Sequence, residues 1–138
     1  PFGKARMVQE AEPGKETTLS VITYGMGVYW AKNASKKFPG RVEIIDLRTL
    51  NPIDEEAILK SVKKHSRCLV VTEEPVSNSF AQSIAGMISD KCFESLDSPV
   101  RIIGSENLPA IPLNSVLEFR MIPNTEKVEK KIEEILAY

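Results

Sequence analysis

Three short runs constrain what this chain can fold into more than any other feature. Thr17 to Tyr24 (TTLSVITY), Val42 to Leu47 (VEIIDL) and Arg67 to Thr72 (RCLVVT) are rich in β-branched and apolar residues. A strand with one face in water alternates apolar and polar side chains, whereas a strand that is apolar almost throughout is buried on both faces. Helical patterns separate the runs. Val28 to Phe38 places Trp30, Ala31, Ala34 and Phe38 on one side, and Pro39-Gly40 stops it. Asp54 is a natural N-cap, with Glu55 and Glu56 in the first turn, where the helix dipole favours acids. That helix buries Ile58, Leu59 and Val62 and ends in Lys63-Lys64-His65, cations at the end that favours them.

The remaining segments fit the same plan. Lys4 to Ala11 reads as a short edge strand and Val100 to Ile103 as another short strand. A long helix is expected from Ser79 to Leu96, where Phe80, Ile84, Ile88, Cys92 and Leu96 recur every fourth position, widened by Ala81, Ala85 and Met87. Leu108 to Pro112 must be irregular, because proline joins neither a sheet interior nor a helix interior. A short helix is expected near Ser115 to Phe119. The last helix starts near Thr125 and buries Val128, Ile132, Ile135 and Leu136. Buried strands alternating with amphipathic helices give a mostly parallel sheet covered on both faces, with right-handed crossovers. The expected fold is a single three-layer α/β/α domain over residues 1–138.

Composition excludes several classes. The chain has 138 residues, 42% apolar and 27% charged, with a formal net charge of −1. A near-neutral chain is no general nucleic-acid or anionic-membrane binder. No apolar run approaches the roughly 20 residues of a membrane helix, and no signal peptide is read. A start at Pro1 without Met is expected of a processed product or of a fragment of a longer chain. Cys68 and Cys92 form no CxxC motif, and the lone histidine cannot complete a usual zinc set with them, so both read as buried reduced thiols.

The candidate chemistry is sparse. Gly25-Met26-Gly27 sits between strand and helix, where a phosphate loop would lie, but Trp30 breaks GxGxxG and no GxxxxGK[ST] occurs, so a tight turn is the better account. His65 reads as a solvated helix-end residue. Glu73 and Glu74 end a strand at the carboxyl edge of the sheet, where open α/β sheets bind ligands. As strand neighbours they point to opposite faces, so at most one lines a crevice. Asp46 and Arg48, two apart on a strand, share a face roughly 7 Å apart and read as a structural or interface ion pair, since half-buried charges need partners. The residues alone give no catalytic, cofactor-binding or metal site. That points to a domain that assists chemistry carried elsewhere.

The run Glu43 to Asp54 (EIIDLRTLNPID) then carries a resemblance. It is similar to the pattern "evIDLRTl.P.D" of the C-terminal domain of the β subunit of thiamine-diphosphate-dependent 2-oxo acid dehydrogenases, the E1 components of multienzyme complexes. The likeness continues through Ile58, Ser61-Val62-Lys63-Lys64, Arg67, Val70-Val71 and Glu73-Glu74. It goes on through Phe93 and Leu96-Asp97-Ser98-Pro99-Val100, then Arg101, Gly104, Pro109 and Pro112. Gly3-Lys4-Ala5 and Thr18 to Gly25 match near the start. The chain departs at His65-Ser66, where Thr-Gly is usual, at Ser77-Asn78-Ser79, where Gly-Gly is common, and around Leu113-Asn114-Ser115, which is longer than in some members.

The resemblance implies a transketolase C-terminal-type domain, a mostly parallel five-stranded sheet with one antiparallel edge strand. It implies a parent oxidoreductase that decarboxylates a 2-oxo acid on thiamine diphosphate and magnesium and passes the acyl group to the disulfide of lipoyl-E2. The cofactor and its activating glutamate would lie in other domains, and the isolated domain would be inactive. Implied partners are other E1 domains or subunits, in a dimer or heterotetramer, and the peripheral subunit-binding domain of the E2 acyltransferase. The implied docking residues are Asp97 and Tyr138. The implied setting is bacterial cytoplasm, or the mitochondrial matrix in a eukaryote. A transketolase or deoxyxylulose-phosphate synthase shares the domain but not the full IDLRTLNPID…SVKKHSR run. A stand-alone interaction module is the alternative of another class.

Overall fold

The computed structural model describes residues 3–106 and 122–138. The elements run β1 (Arg6–Gln9), β2 (Leu19–Thr23), α1 (Gly27–Ser35), β3 (Val42–Asp46), α2 (Glu55–His65), β4 (Cys68–Pro75), α3 (Phe80–Lys91), β5 (Arg101–Ser105) and α4 (Thr125–Leu136). The strands form one sheet in the order β1-β3-β2-β4-β5. β1 runs antiparallel to β3, and the β3-β2, β2-β4 and β4-β5 pairs are parallel. The expected mostly parallel five-stranded sheet with one antiparallel edge strand is what forms.

Strand alternation explains the two cores. Leu19, Val21, Val42, Ile44, Leu69, Val71 and Ile103 face one side and pack with Ala31 and Ala34 of α1 and Val128, Ile132 and Ile135 of α4. The intervening Ile22, Ile45, Cys68 and Val70 face the other side and pack with Ile58 and Val62 of α2 and Ala81, Ile84 and Ile88 of α3. Three layers result, each helix contributing the stripe its sequence spacing requires.

The helix ends follow local chemistry. Asp54 caps α2 by accepting from the Ala57 N–H at 3.2 Å, and its second oxygen accepts from Ala5 N–H at 2.8 Å. One side chain thus starts a helix and fastens the segment before β1. At the other end Ser66 closes α2 with a left-handed backbone, φ +62°. Ser79 and Asn124 cap α3 and α4 through their side-chain oxygens.

The long helix expected from Ser79 to Leu96 is shorter. α3 ends at Lys91, and Phe93–Ser95 form a 3-10 turn. Cys92 and Leu96 keep apolar surroundings without being helical, so the periodic stripe persists past the end of the helix that it suggested. The expected irregular run Leu108 to Pro112 and the short helix near Ser115 to Phe119 lie outside the described residues. No described helix is long and apolar enough to cross a membrane.

Candidate functional site

In a parallel α/β sheet each helix runs back against the strands, so helix C-termini collect at the edge where the strands begin. Here the ends of α2 and α4 meet the starts of β4 and β5, and Arg67 lies at the junction. Its Nη2 donates to the main-chain oxygen of Tyr138 at 2.8 Å. Its Nη1 is 3.5 Å from Asp97 Oδ2. α4 has no basic residue in its own last turn, and Arg67 supplies a cation where the helix dipole favours one. The main chain adds a brace, because Asp97 N–H donates to Ser66 O at 2.8 Å.

Exposure divides the roles within this cluster. The Arg67 side chain is 12% exposed and the Asp97 side chain 62%. Tyr138 is 60% exposed, and its hydroxyl is 3.4 Å from Arg101 Nη2. Arg67 is therefore the sunken member, and Asp97 and Tyr138 are the exposed ones. The two residues assigned to docking by resemblance, distant in sequence, converge on one guanidinium.

Asp46 and Arg48 do not form the expected ion pair. β3 ends at Asp46, and Arg48 has left the strand with φ +62°. Strand alternation therefore no longer sets their relative direction. Asp46 Oδ1 accepts the Arg48 main-chain N–H at 3.0 Å, and its Oδ2 is 3.6 Å from the Arg6 guanidinium on β1. The acid ties the antiparallel edge strand to β3, while the Arg48 side chain is exposed.

His65 is a second correction. It is not solvated but 5% exposed, and Glu43 beside it is 2% exposed. His65 Nε2 lies 2.9 Å from Glu43 Oε2, and its Nδ1 is hydrogen bonded to Thr18 Oγ1 at 2.7 Å. The Glu43 contact is close but not aligned, because neither of its two atoms has a hydrogen-bond partner. Ser61 Oγ donates to Glu43 Oε1 at 2.9 Å and pairs with Ser20 Oγ at 2.6 Å, while Lys64 Nζ reaches Oε2 at 3.7 Å. Burial pushes the Glu43 carboxyl up, but His65, Ser61 and Lys64 more than offset it and hold it below the ordinary 4.5.

At the carboxyl edge the two strand-end acids diverge, as alternation requires. Glu73 Oε1 accepts the Met26 N–H at 2.8 Å, and Gly25 takes φ +60°. Glu74 accepts from the Tyr24 hydroxyl, and Thr72 Oγ1 donates to that hydroxyl at 2.9 Å. Burial, with the Glu74 carboxylate, pushes the Tyr24 phenol up. The Gly25-Met26-Gly27 turn therefore already holds a carboxylate of its own chain where a phosphate would sit. Gly27 is required because a Cβ there would lie 1.9 Å from Thr23 Oγ1. Cys68 and Cys92 are free and buried, as read from their spacing.

The sequence reading missed Arg67, Glu43 and the inward turn of His65. Signals existed. Glu43 is an acid inside a run buried on both faces, and His65 continues the Ile58, Ser61/Val62 spacing of the buried helix stripe.

These features define an α/β domain whose polar clusters join its own elements at both edges of the sheet. The model of the transketolase C-terminal domain family matches residues 3–128, and the chain belongs to that family. It is 31% identical over 141 residues to the 2-oxoisovalerate dehydrogenase subunit beta of Bacillus subtilis (strain 168), covering 100% of this chain and 42% of that protein. It is 30% identical to the pyruvate dehydrogenase E1 component subunit beta of Rickettsia conorii, again covering all of this chain and 41% of the relative. A solved chain described as split gene transketolase, inactive beta4 tetramer, matches with a TM-score of 0.78 at 15% identity, over 98% of this chain and 43% of that one. The chain thus spans about two fifths of the length of these relatives.

Proposed function

We propose that this domain is the C-terminal part of an E1 β-type subunit or region of a 2-oxo acid dehydrogenase, and that it serves assembly and E2 docking. The parent enzyme decarboxylates a 2-oxo acid and passes the acyl group to lipoyl-E2. Its partners are the other E1 domains and the peripheral subunit-binding domain of E2. Its setting is bacterial cytoplasm or the mitochondrial matrix. The relatives named 2-oxoisovalerate dehydrogenase subunit beta and pyruvate dehydrogenase E1 component subunit beta support the enzyme class. The convergence of Asp97 and Tyr138 on Arg67 is the observation that carries the docking reading. An exposed carboxylate beside an exposed chain segment suits a partner with basic side chains, through charge-assisted hydrogen bonds.

Thiamine diphosphate and magnesium are implied for the parent enzyme, and the described residues of this domain do not fit them. No group of three or more His, Cys, Asp or Glu side chains among the described residues could hold a metal ion. Among the described residues, the strand-to-helix turn where a phosphate loop would lie has its Met26 N–H taken by Glu73. The cofactor belongs to other domains, and no step through it is derived from this one.

The test is a calorimetric titration of the protein with the peripheral subunit-binding domain of E2. Asp97→Ala combined with removal of Tyr138 is expected to weaken binding by roughly tenfold or more, the scale of losing a charged contact. Unchanged affinity would sink the docking reading.

A further inference from the structure

We propose that Arg67 is a positioning residue for the docking surface. It builds one two-point acceptor site from Asp97 and the end of α4. The inference rests on the docking reading above and adds a residue that the resemblance does not assign.

The geometry singles out Arg67. Its two terminal nitrogens reach two acceptors, Tyr138 O at 2.8 Å and Asp97 Oδ2 at 3.5 Å, that are 71 and 30 residues away in sequence. Its Nε is buried without a hydrogen-bond partner. With that donor unmet, the guanidinium depends on these two contacts for its satisfaction. Losing either leaves a half-buried cation with a single acceptor, and residues that share one partner in this way are expected to be energetically coupled. Ser66, in its left-handed conformation, places Arg67 just after α2 and binds the Asp97 main chain. The planar fork matters, because a lysine at this position offers one nitrogen where two directions are needed.

Charge alone makes the opposite forecast. Arg67 and Arg101 are both cations beside Asp97 and Tyr138. If bulk electrostatics governed docking, removing Arg67 would strengthen attraction to a basic partner. If Arg67 acts by position, its removal weakens docking despite the gain in local negative charge. The sign of the effect separates the two.

The experiment titrates wild type, Arg67→Gln, Arg67→Lys, Asp97→Ala and the Arg67→Gln/Asp97→Ala double variant with the E2 peripheral subunit-binding domain. Amide hydrogen exchange runs in parallel as a readout of position. Positioning predicts roughly tenfold weaker binding for both Arg67 variants, the scale of coupling between residues of one network. It predicts an Asp97→Ala effect that shrinks to under about twofold in the Arg67→Gln background. It also predicts faster exchange of the Tyr138 amide, which bonds to Ile135 O at 3.2 Å, with core strand amides unchanged. Arg67→Lys guards against a folding defect in the Gln variant. Full affinity in Arg67→Lys, or equal or tighter binding in Arg67→Gln while Asp97→Ala weakens it, overturns the inference and leaves the docking reading standing. If neither Asp97→Ala with Tyr138 removed nor Arg67→Gln changes affinity, the docking reading falls and the inference with it.

Discussion

His65 Nε2 and Glu43 Oε2 lie 2.9 Å apart in a part of the molecule where both side chains are almost wholly withdrawn from solvent. Glu43 also accepts from Ser61 and lies 3.7 Å from Lys64 Nζ, so a hydrogen bond and a positive charge both converge on it. Removing Glu43 takes the acceptor from the buried Ser61 hydroxyl and leaves a void beside His65, and an unsatisfied buried polar group costs about 1–3 kcal/mol. Glu43→Ala is expected to lose about 2 kcal/mol of unfolding free energy in urea. Glu43→Gln, which keeps an acceptor for Ser61, should lose clearly less. An alanine variant within about 0.5 kcal/mol of wild type, the range of ordinary surface changes, would mean the cluster carries no such load.

Acid should act through two carboxyls. Glu43 is held below the ordinary 4.5. The Ala5 N–H, opposed by burial and joined by the Ala57 N–H, holds Asp54 below the ordinary 3.8. A carboxyl depressed in the folded state contributes stability that is fully present above its unfolded value and is lost as pH falls through the folded value. Both contributions should therefore be complete near neutrality and disappear on the acid side of 4.5. Urea midpoints measured down through that region should fall more steeply for wild type than for a Glu43→Gln/Asp54→Asn variant. Equal slopes would show that other groups govern acid unfolding.

Much of this fold was legible because periodicity reports burial directly. TTLSVITY and RCLVVT read as doubly covered strands because they are β-branched, short and bounded by turn residues, and Asp54 reads as a cap from its position before two acids. The misses share a physical cause. Strand alternation puts Asp46 and Arg48 on one face, and it fails once Arg48 takes a left-handed φ. His65 follows two lysines, which points it to solvent, but its spacing from Ile58 and Val62 sets its direction inward. Arg67 gains its role only from α4 and the turn before β5, elements 30 or more residues away, and no local pattern reports such a meeting.

The cysteines should be silent in the native protein. Cys68 is 0% and Cys92 1% exposed, and burial pushes both thiols up, away from the reactive thiolate. A thiol reagent at neutral pH should label neither on the timescale that labels a free peptide thiol, and both at once in denaturant. Labelling should track local opening and rise when stability falls, for example in Glu43→Ala. Fast labelling of Cys92 alone would reveal local opening of the Phe93–Ser95 turn beside it.

Gly27 offers the sharpest check on the strand-to-helix turn. A Cβ there would meet Thr23 Oγ1 at 1.9 Å and Val71 O at 3.1 Å. Thr23 Oγ1 is itself committed, donating to Val71 O at 2.9 Å. Gly27→Ala must therefore push apart β2, β4 and the first turn of α1, and overpacking of this kind costs about 1–3 kcal/mol. Ala is the better helix former by up to about 1 kcal/mol, so propensity works in the opposite direction. The clash should win, giving a net loss that Thr23→Ala in the same chain partly restores by vacating the contested space. If Gly27→Ala is neutral and Thr23→Ala restores nothing, the close approach is not what places glycine there. A turn chosen for conformational freedom would then be the better account of Gly25-Met26-Gly27.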